Sequence, residues 1–139
     1  MRKPGSPASG RPEHKELHKK LRLAREILVE GDFVAADFFK LAANFHELGL
    51  YDQDEQRAAI EKCFEEIRPE QYCGRRPPEK SYERTTVGME MYAFAWDSGC
   101  FRRAMYLKFS IRVSGEKSAL YLYSLHPDRS RKRRNSNEE

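Results

Sequence analysis

The stretch MYLKFSIRVSGEKSALYLYSLHP, residues 105–127, consists of two alternating runs separated by the short turn at residues 114–117. Successive side chains of a strand point to opposite faces, so a strict alternation divides the first run into two sets. The apolar set is Met105, Leu107, Phe109, Ile111 and Val113, and the polar set is Tyr106, Lys108, Ser110 and Arg112. The pattern predicts a β-hairpin with one buried face. The polar set places tyrosine beside cations, which makes that face the candidate functional surface.

The sequence before the hairpin predicts one more strand. Residues 89–96, MEMYAFAW, are apolar on both faces, which indicates a central or covered strand. The hairpin strands themselves are expected over residues 103–113 and 120–126. Together these segments predict a three-stranded antiparallel sheet.

Three helical patterns precede the sheet. The first has Leu17, Leu21, Ala24 and Leu28 at helical spacing, and Gly31 follows as a stop signal. The second is predicted to begin at Asp32 as N-cap and to contain Phe33, Ala36, Phe39, Leu41 and Phe45. The third runs over about residues 52–67 and is closed by Pro69. Helices followed by strands predict an α+β fold, with an N-terminal helical layer packed on the sheet.

The chain length of 139 residues fits one domain with terminal extensions. We expect a disordered basic arm at 1–12 and a flexible tail at 130–139, around one α+β domain at 13–129. Within that domain the helices occupy about 14–67, a basic loop 68–86 and the sheet about 87–126. The tail run RSRKRR is typical either of a nuclear-import or nucleic-acid patch or of a solvated basic tail.

Charge and cysteine content narrow the function classes. The net charge is +4, and the basic residues are bunched, which suggests a polyanionic partner such as RNA or DNA. The three cysteines show no CxxC spacing, so neither a metal site nor a disulfide framework is indicated. A reducing compartment is therefore expected. No apolar run is long enough for a membrane span, so we expect no membrane partner. Together with the reducing compartment, this predicts a cytoplasmic protein. No motif indicates a cofactor, and none is expected.

The residues of the candidate surface suit single-stranded nucleic acid, because cations meet phosphates and aromatic rings stack on bases. The RNA-binding candidates are Arg75, Arg76, Lys80, Tyr82, Arg112, Tyr121 and Tyr123. Alternation places Tyr121 and Tyr123 on one side of the last strand and Leu120, Leu122 and His126 on the other. Which side joins Tyr106 is left open. A base, a cation and an acid at such a surface also suffice to cut RNA without a metal.

The order of motifs resembles the MqsR family of toxins, within the wider RelE-like group of small ribonucleases. The resemblance rests on H..L..A.EILVEG from His18, on ELGL, on I….QY at residues 67–72, and on MYLKFSI followed by LYLYSLHPD. It covers about residues 18–128. It implies a RelE-like fold and the activity of an mRNA interferase, a hydrolase that cuts single-stranded mRNA without a metal. It also implies membership of a type II toxin–antitoxin pair, with an antitoxin protein as partner.

The resemblance transfers to the site residue by residue. Tyr106 corresponds to the catalytic strand tyrosine of the family, and Lys108 to the lysine two residues later. Three positions depart from the family, because Cys73, Ala93 and Asp128 stand where it has lysine, glutamine and lysine. Arg75, Arg76 or Lys80 would replace the first lysine, and Arg129 or His126 the last. The resulting catalytic candidates are Tyr106, Lys108, His126 and Arg129.

Two other functions stay open on the sequence alone. The departures favour a nucleic-acid-binding module of the same fold that no longer cleaves. A protein-interaction domain would instead use the helical hairpin, with Phe33, Phe38, Phe39 and Phe45 partly exposed. If these phenylalanines only cover the sheet, the helical hairpin is purely structural.

Overall fold

The structure is a computed structural model that describes residues 13–129. Its helical layer contains three α-helices. They are α1 (His14–Glu30), α2 (Phe38–Glu47) and α3 (Gln53–Glu66). The predicted arm at 1–12 and tail at 130–139 lie outside the described residues. Each helix presents its periodic apolar side chains to the core, as the sequence predicts for α1 and α3. In α1 these are Leu17, Leu21, Ala24 and Leu28.

The sheet has four strands, which is one more than predicted. They are β1 (Phe33–Ala35), β2 (Tyr92–Ser98), β3 (Arg103–Ser114) and β4 (Lys117–Pro127), in the spatial order β1-β4-β3-β2. The neighbours β2, β3 and β4 pair antiparallel, but β1 runs parallel to β4. The prediction of an α+β fold is confirmed. The prediction of a purely antiparallel three-stranded sheet is wrong.

The extra strand lies where the second helix was predicted to begin. Asp32 does not cap a helix, because β1 and not a helix follows it. Its side chain accepts a hydrogen bond from Phe33 N at 2.8 Å. The N-cap is Asp37, whose side chain accepts from Lys40 N at 3.1 Å. The residues between them supply backbone partners to the edge of β4, and Ala36 N donates to Leu122 O at 2.9 Å. An unpaired strand edge inside the protein would be costly, and β1 removes it.

The first sheet strand also differs from its prediction. Residues 89–91 belong to the loop before it, since Met91 N donates to Glu79 O at 2.8 Å. The strand β2 is an edge strand and not a central one. It is covered at its outer edge by a short backbone pairing, in which Tyr72 lies opposite Phe94 and Cys73 N donates to Ala93 O at 2.9 Å. The side chains of β2 are buried on both faces over most of the strand, which agrees with its apolar sequence.

A β-bulge in β4 changes which side chains share a face. Lys108 pairs with Ser124, but its neighbour Phe109 pairs with Leu122, so Tyr123 is an extra residue in β4. A bulge shifts the alternation of the bulged strand by one residue. Tyr123 therefore lies on the face opposite the helices, and His126 does as well. The predicted separation of Tyr123 from His126 by strict alternation is wrong.

The core lies between the helices and the apolar face of the sheet. Phe109 is fully buried at its centre, stacked on Phe94 at a centroid distance of 6.0 Å and edge-on to Phe64 of α3 at 5.2 Å. At the end of β2, Glu66 accepts hydrogen bonds from Trp96 Nε1 at 2.8 Å and from Ser98 at 2.7 Å. These contacts fix the end of α3 to the sheet.

Candidate nucleic-acid interface and catalytic site

The sheet face opposite the helices, which we call the open face, is half covered by the loop of residues 73–91. Four buried hydroxyl groups hold this covering loop, and they belong to Ser81, Thr86, Ser110 and Tyr123. The Tyr123 hydroxyl lies 2.6 Å from Thr86 Oγ1 and 2.9 Å from Ser110 Oγ. Thr86 Oγ1 in turn lies 2.8 Å from Ser81 Oγ. Buried hydroxyls need partners, and each of these finds one, with the Tyr123–Thr86 bond joining the sheet to the loop.

The side chains of Arg112 and Tyr121 also serve this contact. Arg112 donates to Thr85 O at 2.9 Å, and its guanidinium carbon lies 5.2 Å from the centre of the Tyr121 ring. Thr85 donates to Ala36 O at 2.7 Å, which ties the loop to the segment after β1. Three of the predicted RNA-binding residues, Arg112, Tyr121 and Tyr123, therefore have structural partners in or beneath the covering loop. The sequence predicted the whole polar face of the hairpin as the functional surface, whereas the loop leaves only part of that face uncovered.

The Tyr123 hydroxyl is expected to stabilise the covering loop measurably. Tyr123→Phe removes one group that bonds both Thr86 and Ser110, and we expect it to lower the free energy of unfolding by about 1–2 kcal/mol. Urea unfolding measures this loss. Tyr121→Phe is the matched control, because its hydroxyl has only a 3.4 Å contact with Arg112, and less than about 0.5 kcal/mol is expected. Equal losses in both variants would contradict the hydroxyl network.

On the uncovered half, Tyr106 of β3 and His126 of β4 form a stacked pair. They are directly opposite in the strand register, and their rings lie 5.1 Å apart with 20° between the planes. The next pair on the same face of the two strands is Lys108 with Ser124. All four side chains are half-buried. We call Tyr106, Lys108, Ser124 and His126 the Tyr106 site.

The imidazole of His126 has one nitrogen committed to the backbone. Nδ1 lies 2.8 Å from the carbonyl oxygen of Pro127. A carbonyl oxygen only accepts hydrogen bonds, so Nδ1 carries the proton in this contact. The lone pair of the neutral ring is then on Nε2. His126 can therefore accept a proton at Nε2.

Tyr106 is a neutral hydrogen-bond donor at physiological pH. Burial raises the pKa of its phenol to about 12, and the nearby Cys73 thiol and the Glu79 and Asp128 carboxylates act in the same direction. A phenol with this pKa donates a hydrogen bond and does not act as a general base near pH 7. The stacked pair thus combines a donor, Tyr106, with an acceptor, His126.

The raised phenol pKa values predict a loss of stability at alkaline pH. Burial also raises the pKa of Tyr72 to about 12. Below about pH 10 both phenols are protonated in the folded and the unfolded chain, so their full contribution to the free energy of unfolding is present. Between about pH 10 and 12 the unfolded chain releases these protons first, so stability falls as the pH rises. We expect the urea midpoint to fall from pH 9 to pH 11, and to fall less in Tyr106→Phe.

Tyr82→Phe is the control for this alkaline effect, because the Tyr82 ring is 90% exposed. It should show the same pH dependence as the wild-type protein. If Tyr106→Phe also follows the wild-type curve, the phenol of Tyr106 does not titrate in the environment described here.

Lys108 is the cation of the site. Its Nζ lies 6.0 Å from the centre of the Tyr123 ring, on the border between the covered and uncovered halves. Across β2, Lys108 faces Ala93 and Tyr106 faces Ala95. Short alanine side chains cannot cover the neighbouring ring and ammonium group. They also supply no amide or charge to the site.

The other predicted site residues lie outside the Tyr106 site. Arg129 follows β4 and forms a two-pronged ion pair with Glu47 of α2, with both N–O distances at 3.2 Å. Arg76 lies over the Tyr72 ring, with its guanidinium carbon 5.1 Å from the ring centre. Arg75, Lys80 and Tyr82 are exposed on the loop. The structure thus brings Tyr106, Lys108 and His126 together and gives Arg129 a carboxylate partner.

Ser124 is a member of the site that the sequence analysis did not single out. Its position depends on the bulge at Tyr123, for which the sequence carries no separate signal. Within residues 13–129 no group of three or more His, Cys, Asp or Glu side chains is arranged to hold a metal ion. No helix of that same segment is long and apolar enough to cross a bilayer.

The fold and the site together define an α+β protein with a half-covered mixed sheet, and with a tyrosine–histidine–lysine cluster on its uncovered half. Comparison with protein-family models, with curated proteins and with solved structures finds no match for the chain.

Proposed function

We propose that this protein is a metal-independent endoribonuclease that acts on single-stranded RNA, with the Tyr106 site as its catalytic centre. The observation that supports this proposal most is the stacked pair. His126 has its Nδ1 fixed by the Pro127 carbonyl, so Nε2 is the basic nitrogen, and Tyr106 beside it is a neutral donor. Lys108, two residues further along β3, supplies positive charge. RNA cleavage by its own 2′-hydroxyl needs these three kinds of group and no metal.

In the proposed reaction His126 is the base, and Tyr106 and Lys108 are the acid and the charge-stabilising groups. His126 Nε2 takes the proton from the ribose 2′-hydroxyl, whose oxygen forms a bond to the adjacent phosphorus. The bond from phosphorus to the 5′-oxygen then breaks, and that oxygen receives a proton from Tyr106 or Lys108. The products are a 2′,3′-cyclic phosphate and a 5′-hydroxyl end. Lys108 and the Tyr106 hydroxyl stabilise the negative charge of the pentacoordinate phosphorane.

The loop cations supply a path for the RNA strand toward the site. Arg75, Arg76 and Lys80 are exposed on the segment that follows the Tyr72–Phe94 pairing at the β2 edge. Cations of this kind attract phosphates and make binding salt-dependent. The resemblance to the MqsR family supports the same activity. It extends the proposal to an mRNA interferase of the cytoplasm that is neutralised by an antitoxin protein.

The second candidate function is a nucleic-acid-binding module that does not cleave. It is favoured by Ala93, which stands beside Lys108 without an amide or charge, and by the pairing of Arg129 with Glu47. Both features reduce the number of groups available to stabilise the transition state.

Incubation of the purified chain with a long single-stranded RNA in EDTA tests the proposal. We expect discrete fragments that end in a 2′,3′-cyclic phosphate. Intact RNA that is retarded on a native gel, with a retardation that weakens as salt rises, would instead support the binding module. Intact RNA with unchanged mobility would contradict both candidates.

A further inference from the structure

A second surface of opposite character lies on the helical side of the molecule. It is a groove of about 530 Å³ with walls from β1, α2 and the start of α3. Most of its lining is apolar, and its larger side chains are Phe33, Phe38, Leu41, Phe45, Leu50 and Tyr51. A groove of this volume lies in the range that accommodates specific ligands or anchoring side chains.

The aromatic side chains of the groove divide into two groups. Phe45 is 5% exposed and packs edge-on to Phe33, at a ring distance of 6.1 Å, so both belong to the core layer. Phe38 and Tyr51 are 68% and 69% exposed, at residues where the chain enters α2 and leaves it toward α3. The helical phenylalanines therefore do more than cover the sheet. A large exposed aromatic at a groove is typical of a contact surface.

The stretch of chain that forms most of the groove carries a negative net charge. Residues 30–55 contain seven acidic residues and one lysine, which gives a net charge of −6, whereas the whole chain carries +4. Two of the acids are paired with arginines outside this stretch, Asp32 with Arg57 at 3.5 Å and Glu47 with Arg129 at 3.2 Å, and Lys40 is paired with Glu83 at 3.0 Å. Asp32 is part of the groove lining, and Asp54 and Glu55 are exposed in the first turn of α3. This field repels nucleic acid and attracts cationic segments.

We propose that the groove binds an amphipathic segment of a partner protein, with an apolar stripe that is flanked by lysine and arginine. An amphipathic helix places residues at i, i+3 or i+4, and i+7 into such a groove. The acidic rim pairs with the basic flanks and selects against acidic segments. The basic tail at 130–139 has the matching charge, but SRKRRNSNEE contains no apolar side chain to fill the groove. This inference does not rest on the proposed nuclease activity.

Fluorescence anisotropy with the full chain tests the inference. The probe is a labelled helical peptide of leucine and lysine with its leucines on one stripe, and the reference is a scrambled peptide of the same composition. We expect saturable binding of the stripe peptide, and binding of the scrambled peptide that is weaker by about tenfold or more. Phe38→Ala should weaken binding by about fivefold or more. The matched control Phe39→Ala should change it less than about twofold, because Phe39 does not line the groove.

The double variant Asp54→Asn/Glu55→Gln tests the charge of the rim. We expect weaker binding of the stripe peptide and a smaller dependence of that binding on salt. Equal binding of the stripe and scrambled peptides, or equal effects of Phe38→Ala and Phe39→Ala, would overturn the proposal. It would also be overturned by a dimer in light scattering that Phe38→Ala converts to monomer, since the occupant would then be a second copy. RNA cleavage by Phe38→Ala should equal that of the wild type, which keeps the two proposals separable.

Discussion

His126→Ala is expected to lower the rate of RNA cleavage by about 100-fold or more, the usual contribution of a positioned general base. The ring is fixed from two sides, by stacking on Tyr106 and by the contact of Nδ1 with the Pro127 carbonyl. The basic Nε2 is therefore held in one orientation. A water molecule that takes the place of the ring in His126→Ala would not be held in this way. Initial rates on one defined RNA, measured with excess enzyme, give the ratio directly.

Binding separates a catalytic role of His126 from a structural one. We expect His126→Ala to bind 2′-O-methylated RNA with nearly wild-type affinity, because the loop cations and Lys108 remain. His46→Ala is the matched control, since His46 is exposed on α2 and its ring packs edge-on to Tyr51 in the groove. It should cleave normally. Equal cleavage rates for the two alanine variants would mean that His126 is not the base.

Phe109→Ala is expected to lower the free energy of unfolding by about 3–5 kcal/mol. Phe109 is fully buried and lies within 5.2–6.0 Å, ring centre to ring centre, of Phe64, Tyr92 and Phe94. These partners come from α3 and β2, so the ring joins the helical layer to the sheet. Its removal would leave a cavity that rigid neighbours on two elements cannot fill. Equilibrium unfolding in urea measures the loss.

The exposed Phe39 supplies the control for this substitution. It is 81% exposed, and Phe39→Ala should change the free energy of unfolding by about 0.5 kcal/mol or less. If Phe109→Ala does not fold, Phe109→Leu retains most of the buried volume and should show a smaller loss than alanine would produce. A loss for Phe109→Leu as small as that for Phe39→Ala would contradict the placement of Phe109 at the centre of the core.

Much of the fold could be predicted because its signals are local. The spacing of Leu17, Leu21 and Leu28 and the stop at Gly31 define α1, and Asp52 marks the start of α3 by its capping side chain. The strand β1 could not be predicted in the same way. Three residues carry too little periodicity, and β1 forms because the β4 edge needs backbone partners, which is a tertiary requirement.

The candidate site also has a part that local sequence predicts and a part that depends on tertiary pairing. Tyr106 and Lys108 share a face because β3 alternates regularly at those residues, so the sequence predicts their proximity. His126 joins them only because Tyr123 is bulged, and a bulge is set by pairing with the neighbouring strand. A loop was predicted at residues 68–86, but its contact with the open face was not, because the hydroxyls of Thr86 and Ser81 are far from Tyr123 in sequence.

The two surfaces have opposite charge and separate residues. The Tyr106 site contains the cation Lys108, whereas the groove lies in a stretch with a net charge of −6. One contact links their surroundings, because Arg129 beside the site is paired with Glu47 at the end of α2. Release of Arg129 from this pair would leave a cation without a carboxylate partner beside the Tyr106 site. Glu47→Gln is the substitution that produces this release without truncating the side chain.

We propose that single-stranded RNA binds the uncovered half of the sheet. The most direct measurement is a titration of the ¹⁵N-labelled chain with a 2′-O-methylated RNA oligonucleotide, followed by amide chemical shifts. We predict salt-sensitive shifts at residues 104–108 and 124–129 and in the loop at 75–80, with residues 38–56 unchanged. Shifts confined to α2 and α3, or no shifts at any RNA concentration reached, would contradict the claim.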